Sequence, residues 1–181
     1  KQHISHINII PDVQNKRLEV TAYAGSEALQ VVAVASTGGQ KVSEATGTAG
    51  KTFYLSVPNP HLWSPDDPFL YDLKLQLKNK SGKVVDEIGS YFGMRTVGMK
   101  KIDGVMRPTL NGEFVFHLGL LDQGYWPDGI FTAPTDEALR YDIELAKRAG
   151  FNVIRKHIKV EPQRWYYHCD RLGLMVWQDM P

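Results

Sequence analysis

The order of elements in the C-terminal third constrains this chain more than any other feature. Phe114–Leu121, Asn152–Ile158 and Leu174–Gln178 are short apolar runs of strand type, and Asp136–Ala149 and Pro162–Leu172 between them carry helical periodicity. The two later units repeat at a spacing of 23 residues: Lys147-Arg148-Ala149-Gly150-Phe151-Asn152-Val153-Ile154 matches Asp170-Arg171-Leu172-Gly173-Leu174-Met175-Val176-Trp177 in pattern. A βαβαβ series makes a parallel sheet. Such sheets are buried on both faces, and three strands are too few to achieve that. The sequence therefore predicts a piece of a larger α/β body, ending at Pro181 directly after its third strand.

Residues 1–97 have a different character, with no helical periodicity. Strands are expected near Ile4–Ile10, Arg17–Tyr23, Leu29–Ala35, Gln40–Thr46, Lys51–Val57, Phe69–Lys78 and Lys83–Gly93. The sixth is the clearest: Phe69, Tyr71, Leu73, Leu75 and Leu77 face one way, and Asp72, Lys74, Gln76 and Lys78 the other. Asn79-Lys80-Ser81-Gly82 then makes a hairpin turn. Short strands at this spacing predict an immunoglobulin-like β-sandwich over residues 1–97. Trp63 is expected to pack as a plug at the sandwich edge or between domains. His3, His6 and His61 have no partners at metal-ligand spacing. Gly98–Gly112 is expected to be the joint to the second half, closed by the Asn111-Gly112 turn.

Composition narrows the function classes. The formal charge of +1 gives no reason to expect a nucleic-acid or anionic-membrane partner. Apolar runs are strand-sized, so no transmembrane helix is expected. The single cysteine, Cys169, rules out an internal disulfide and a cysteine-based zinc site, and reads as a small buried packing residue on its helix. No metal or cofactor site is expected.

The second half carries the chemistry. Asp122–Pro134 is thirteen residues without regular pattern, a length usually reserved for functional loops. It holds Asp122, Gln123, Tyr125, Trp126 and Asp128. Thr135 is the expected N-cap of the following helix, with Leu139, Ile143 and Ala146 as its buried stripe and Gly150 closing it. Parallel α/β folds bind ligands at the C-terminal ends of their strands. That rule selects Asp122 and Gln123, then Arg155 and His157, then Trp177, Gln178 and Asp179. Each has a plainer reading: Arg155 as a staple to Asp179, His157 as a packed strand-end histidine, Trp177 as core.

Acids, a guanidinium, an imidazole and indoles on one rim suit a carbohydrate. An indole covers the C–H face of a pyranose, and charged groups exchange hydrogen bonds with its hydroxyls. Neither strand-to-helix loop is the Gly-rich turn that a phosphate ligand needs.

At these residues the chain resembles glycoside hydrolase family 2, the β-galactosidases, β-glucuronidases and β-mannosidases. Asn59-Pro60-His61-Leu62-Trp63-Ser64-Pro65 through Pro68-Phe69-Leu70-Tyr71 is similar to that family's sandwich-domain motif. Phe92-Gly93-Met94-Arg95 and Leu110-Asn111-Gly112 resemble its domain junction. Asp136 through Arg155, then Trp165, Cys169-Asp170 and Leu172-Gly173, resemble the opening of its (β/α)8 barrel. The resemblance implies that residues 98–181 are linker plus the first three strands and two helices of a TIM barrel. It implies a retaining exo-β-glycosidase, with a jelly-roll domain before Lys1 and five more barrel strands after Pro181. Arg155-Lys156-His157-Ile158-Lys159-Val160 departs from the Arg-Thr-Ser-His-Tyr-Pro of many β-galactosidase-type members, and Trp177-Gln178-Asp179 looks more like the β-mannosidase branch. Arg155 carries over as a substrate-side arginine.

The family's catalytic glutamates are implied at the ends of barrel strands four and seven, so no catalytic residue is expected in this chain and it should be inactive alone. Asp122, Trp126, Arg155, His157, Trp177 and Asp179 are the expected carbohydrate contacts. The open edge of the last strand predicts self-association or pairing with the rest of a parent protein. Two other readings remain at this point. One is a complete non-catalytic carbohydrate-binding module, and the other a small doubly wound α/β domain fused to a sandwich.

Overall fold

The computed structural model describes residues 2–25 and 29–181, and the chain divides into two compact units. The first comprises Lys1–Leu62, Leu70–Met99 and Thr109–Gly112; the second comprises Trp63–Phe69, Lys100–Pro108 and Glu113–Pro181.

The first unit is built from β1 (Ile4–Asp12), β2 (Arg17–Ala24), β3 (Gln30–Thr37), β4 (Gln40–Thr48), β5 (Phe53–Ser56), β6 (Tyr71–Lys78) and β7 (Val84–Phe92). They form two antiparallel sheets in the orders β1-β2-β5 and β4-β3-β6-β7. Alternation decides which side chains are covered. Leu18, Val20 and Ala22 of β2, Val31, Ala33 and Ala35 of β3, and Leu73, Leu75 and Leu77 of β6 are all buried. Each buried leucine stabilises the sandwich by roughly 1.5–3 kcal/mol relative to exposure. The hairpin turn forms at Asn79–Gly82, where Asn79 Oδ1 accepts from the amides of Ser81 and Lys83, both at 3.0 Å, and Gly82 takes a φ of 80°.

The joint expected at 98–112 contains a hairpin: β8 (Val97–Ile102) and β9 (Val105–Leu110) meet at Asp103-Gly104, both with positive φ (50° and 82°). This is the Asp-Gly turn that the twist of paired strands favours. The strand expected over Phe114–Leu121 is two strands, β10 (Glu113–Phe114) and β11 (Gly119–Asp122), with 115–118 irregular between them. The cause is the Asn152 side chain. Its Oδ1 accepts from the Leu118 amide at 3.0 Å and its Nδ2 donates to the Phe116 carbonyl at 2.8 Å, so these groups need no neighbouring strand.

The remaining elements are α1 (Asp136–Arg148), β12 (Val153–Lys156), α2 (Gln163–Leu172) and β13 (Met175–Gln178). Thr135 caps α1 by accepting from the Ala138 amide at 3.1 Å. At the other end Gly150 (φ 88°) lies just past the Ala149 cap. The Phe151 amide donates to Ala146 and the Gly150 amide to Lys147, each at 3.0 Å, a doubled closure that absorbs the last free carbonyls. Helix α2 ends at Gly173 (φ 78°), whose added Cβ would collide with the Pro65 carbonyl oxygen. Trp63 lies in this unit: it is fully buried and donates its indole N–H to the Asp170 carbonyl at 2.6 Å. Lys147 fixes the same segment by donating to the carbonyls of Pro65 (2.8 Å) and Gly173 (3.0 Å). No described helix is long and apolar enough to cross a membrane.

Candidate functional site

Strands β11, β12 and β13 form a parallel sheet in that order, and its register sorts the side chains into rows. Leu120, Ile154 and Val176 make one row, packed against Leu139, Ile143 and Ala146 of α1 and Trp165 and Cys169 of α2. Period two then sends the next row, Leu121, Arg155 and Trp177, to the opposite face. The last row, Asp122, Lys156 and Gln178, returns to the helix side.

On the face away from the helices, Arg155 grips Asp179. Its Nε lies 3.3 and 3.2 Å from the two carboxylate oxygens, and its Nη2 donates to Oδ2 at 2.9 Å. Such a fork fixes both planes at once. Beside it Trp177 is half exposed and donates its indole N–H to His117 Nδ1 at 3.0 Å, with the rings perpendicular and their centres 5.5 Å apart. Indole nitrogen is only a donor, so Nδ1 of His117 is the unprotonated nitrogen. Partial burial lowers the His117 pKa in the same direction. His117, Leu121, Val153, Arg155 and Trp177 line a shallow depression of about 330 Å³.

The helix side holds an ion network. The fully buried Lys156 ammonium lies 2.5 Å from Asp122 Oδ2 and 2.8 Å from Glu161 Oε1, and 4.5 Å from the centre of the Trp165 ring. Lys159 joins at 2.9 Å from Glu161 and donates to the carbonyls of Gly124 and Phe131, both at 2.8 Å. Two ammoniums and two carboxylates balance, as burial demands. Asp122 Oδ1 accepts from the Gly124 amide at 2.7 Å, so the loop after β11 is tied down from both sides. Gln178 closes the ring, accepting from the Tyr166 hydroxyl at 2.5 Å and donating to the Lys159 carbonyl at 2.8 Å.

The structure therefore gathers Arg155, Trp177 and Asp179 on one face. Asp122 lies in the ion network, and Trp126 packs against the helix-side cluster with its indole N–H buried and unpaired. His157 sits at the loop, its amide donating to the Asp122 carbonyl at 2.9 Å and its Nδ1 3.1 Å from Gln123 Nε2. Lys156, Lys159, Glu161 and His117 were not singled out from the sequence. Alternation was the available signal for two placements: if Arg155 of β12 faces the rim, Lys156 must face the helices, and Asp122 shares its row.

A profile of the glycosyl hydrolases of family 2 matches residues 2–95. The chain belongs to that family. A putative β-glucuronidase of Formosa agariphila is 36% identical over 139 residues, covering 76% of this chain and 13% of that protein. A β-galactosidase of Lactococcus lactis is 32% identical over 122 residues, 67% of this chain and 12% of the relative. The chain thus spans about an eighth of the length of these curated relatives. Among solved structures, a β-glucuronidase from Ruminococcus gnavus in complex with D-glucuronic acid superposes over 100% of this chain and 30% of its own, with a TM-score of 0.82 at 20% identity. At that identity the likeness speaks to the fold. Within this family-2 chain, no group of three described His, Cys, Asp or Glu residues could hold a metal ion. Burial pushes the Cys169 thiol far up, which keeps it protonated and unreactive.

Proposed function

We propose that this chain is part of a retaining exo-β-glycosidase acting on O-linked carbohydrate. In this reading residues 1–97 are its immunoglobulin-like sandwich domain, and residues 98–181 are a linker and the opening of a (β/α)8 barrel. The observation that carries the proposal is the Arg155–Asp179 fork beside the half-exposed Trp177, at the carboxyl ends of parallel strands. The indole offers a stacking surface for a pyranose C–H face, and the fork offers donors and acceptors for its hydroxyls. Family membership and the β-glucuronidase and β-galactosidase names of the relatives support the same substrate class. Asp122, Trp126 and His157 serve this site by shaping the loop beside it.

The hydrolytic step belongs to residues outside this chain. Retaining hydrolysis needs a protonated acid and a carboxylate nucleophile about 5–5.5 Å apart. Here Asp179 is tied to Arg155 on one face of the sheet and Asp122 to Lys156 on the other, so the two carboxylates do not face each other across a shared bond. The free edges of β11 and β13 would be filled by the strands of the parent hydrolase or by a second copy of the chain.

The test is a titration of the 181-residue chain with methyl β-glucuronide and methyl β-galactoside, followed by the Trp177 indole N–H signal. Saturable binding that Trp177→Ala or Arg155→Ala weakens at least tenfold supports the reading, together with no turnover of nitrophenyl glycosides. An unmoved Trp177 signal with both sugars sinks the rim, and turnover abolished by Asp179→Asn sinks the claim that catalysis lies elsewhere.

A further inference from the structure

We propose that Tyr125 and Phe131 form a second carbohydrate-stacking platform, clasped by Lys159 and separate from the residues of the Trp177 rim. The choice of sugar as ligand rests on the function proposed above; the platform itself rests on geometry.

Of the three aromatic side chains on the loop after β11, only Trp126 turns inward. Tyr125 and Phe131 are 61% and 53% exposed, more than an aromatic pair left to pack with its own fold would be. Their ring centres lie 4.9 Å apart with a 40° tilt, so the two rings form an open angle rather than separate surface residues. The scaffold under them is rigid. Trp126 and Ile130 exchange amide hydrogen bonds at 2.8 and 3.0 Å, and the Thr132 amide donates to Gly129 at 3.0 Å. Lys159 bonds the carbonyl immediately before Tyr125 and the carbonyl of Phe131 itself, and is in turn locked to Glu161. Ile130 between them holds a φ of 54°, a left-handed conformation that a β-branched residue keeps only when its surroundings enforce it.

Rigidity matters because ordering each mobile side chain on binding costs about 0.5–1.5 kcal/mol. A pre-set pair avoids that cost. Size selects the ligand. Two rings of roughly 150–250 Å² each, half covered already, fall far short of the ~800 Å² per partner that a stable protein interface buries. They match the apolar face of one sugar ring. Polar groups stand on the same loop to meet its hydroxyls: the exposed Asp128, and Gln123, whose Oε1 remains an acceptor while Nε2 holds His157.

The experiment titrates the 181-residue chain with a β-linked tetrasaccharide while the ring protons of Tyr125 and Phe131 and the indole N–H of Trp177 are followed separately by NMR. Both rings are expected to shift saturably, and Tyr125→Ala/Phe131→Ala is expected to weaken the tetrasaccharide about tenfold. The variant's melting curve checks that the fold is intact, as two exposed rings should allow. If Trp177 responds while Tyr125 and Phe131 stay still, the rim stands and the platform is refuted. If none of the three responds, both fall. If phenol moves the rings and the sugar does not, the pair is an aryl site and the proposal is overturned.

Discussion

The indole N–H of Trp177 points at Nδ1 of His117 from 3.0 Å, and this bond exists only while that nitrogen lacks a proton. The half-exposed tryptophan is thereby oriented by an imidazole held neutral.

A pH dependence follows, with a definite sign. Burial lowers the His117 pKa below its ordinary 6.5. The folded state then binds fewer protons than the unfolded one, so the contribution is present above about 6.5 and is lost as pH falls through the folded value. NMR titration of the His117 ring should give a midpoint below 6.5, and Trp177→Phe should raise it by removing the donor. A midpoint above 6.5 in the parent chain contradicts the geometry.

Lys156 is the second test. Replacing it with methionine keeps the stem over Trp165 but leaves Asp122 and Glu161 facing each other with one ammonium fewer. Breaking a buried ion set in this way costs about 3–5 kcal/mol. Urea denaturation of Lys156→Met should show that loss, and adding Glu161→Gln to the same chain should recover part of it. A single-variant cost within about 0.5 kcal/mol, the range of ordinary surface changes, would mean the network is not stabilising.

Gly173→Ala should be severe for a substitution at a helix cap. The residue has a φ of 78°, and its new methyl would meet backbone, the Pro65 carbonyl, rather than a side chain that could move aside. A loss of more than about 1 kcal/mol is expected from the φ alone. Gly150→Ala at the end of α1 has similar backbone strain but open space around it, so a melting curve should place it clearly above Gly173→Ala.

What the sequence disclosed depended on periodicity. The strands of the sandwich and the stripe of α1 were legible because Leu73, Leu75, Leu77 and Leu139, Ile143, Ala146 repeat at the spacing of their elements. The hairpin at 97–110 was not, because β8 is exposed along nearly all of its length and alternation has nothing to mark. The break at 115–118 depends on Asn152, a residue more than thirty positions away in sequence, whose side chain replaces a strand partner. At the site, Arg155, Trp177 and Asp179 fell together because one rule about strand ends selects them. The loop after β11 has no period, so nothing in its composition said that Trp126 would turn in while Tyr125 and Phe131 turned out.

Trp63 and Asp170 have a practical consequence for anyone dissecting this chain. The stretch 63–69 is encoded amid sandwich strands yet belongs to the α/β unit, so the two bodies are interleaved along the polypeptide. A single cleavage at any unit boundary after Phe69 strands the indole on one product and its carbonyl acceptor on the other, and a cut before Trp63 splits the sandwich strands instead. Neither half can be excised intact with one pair of scissors.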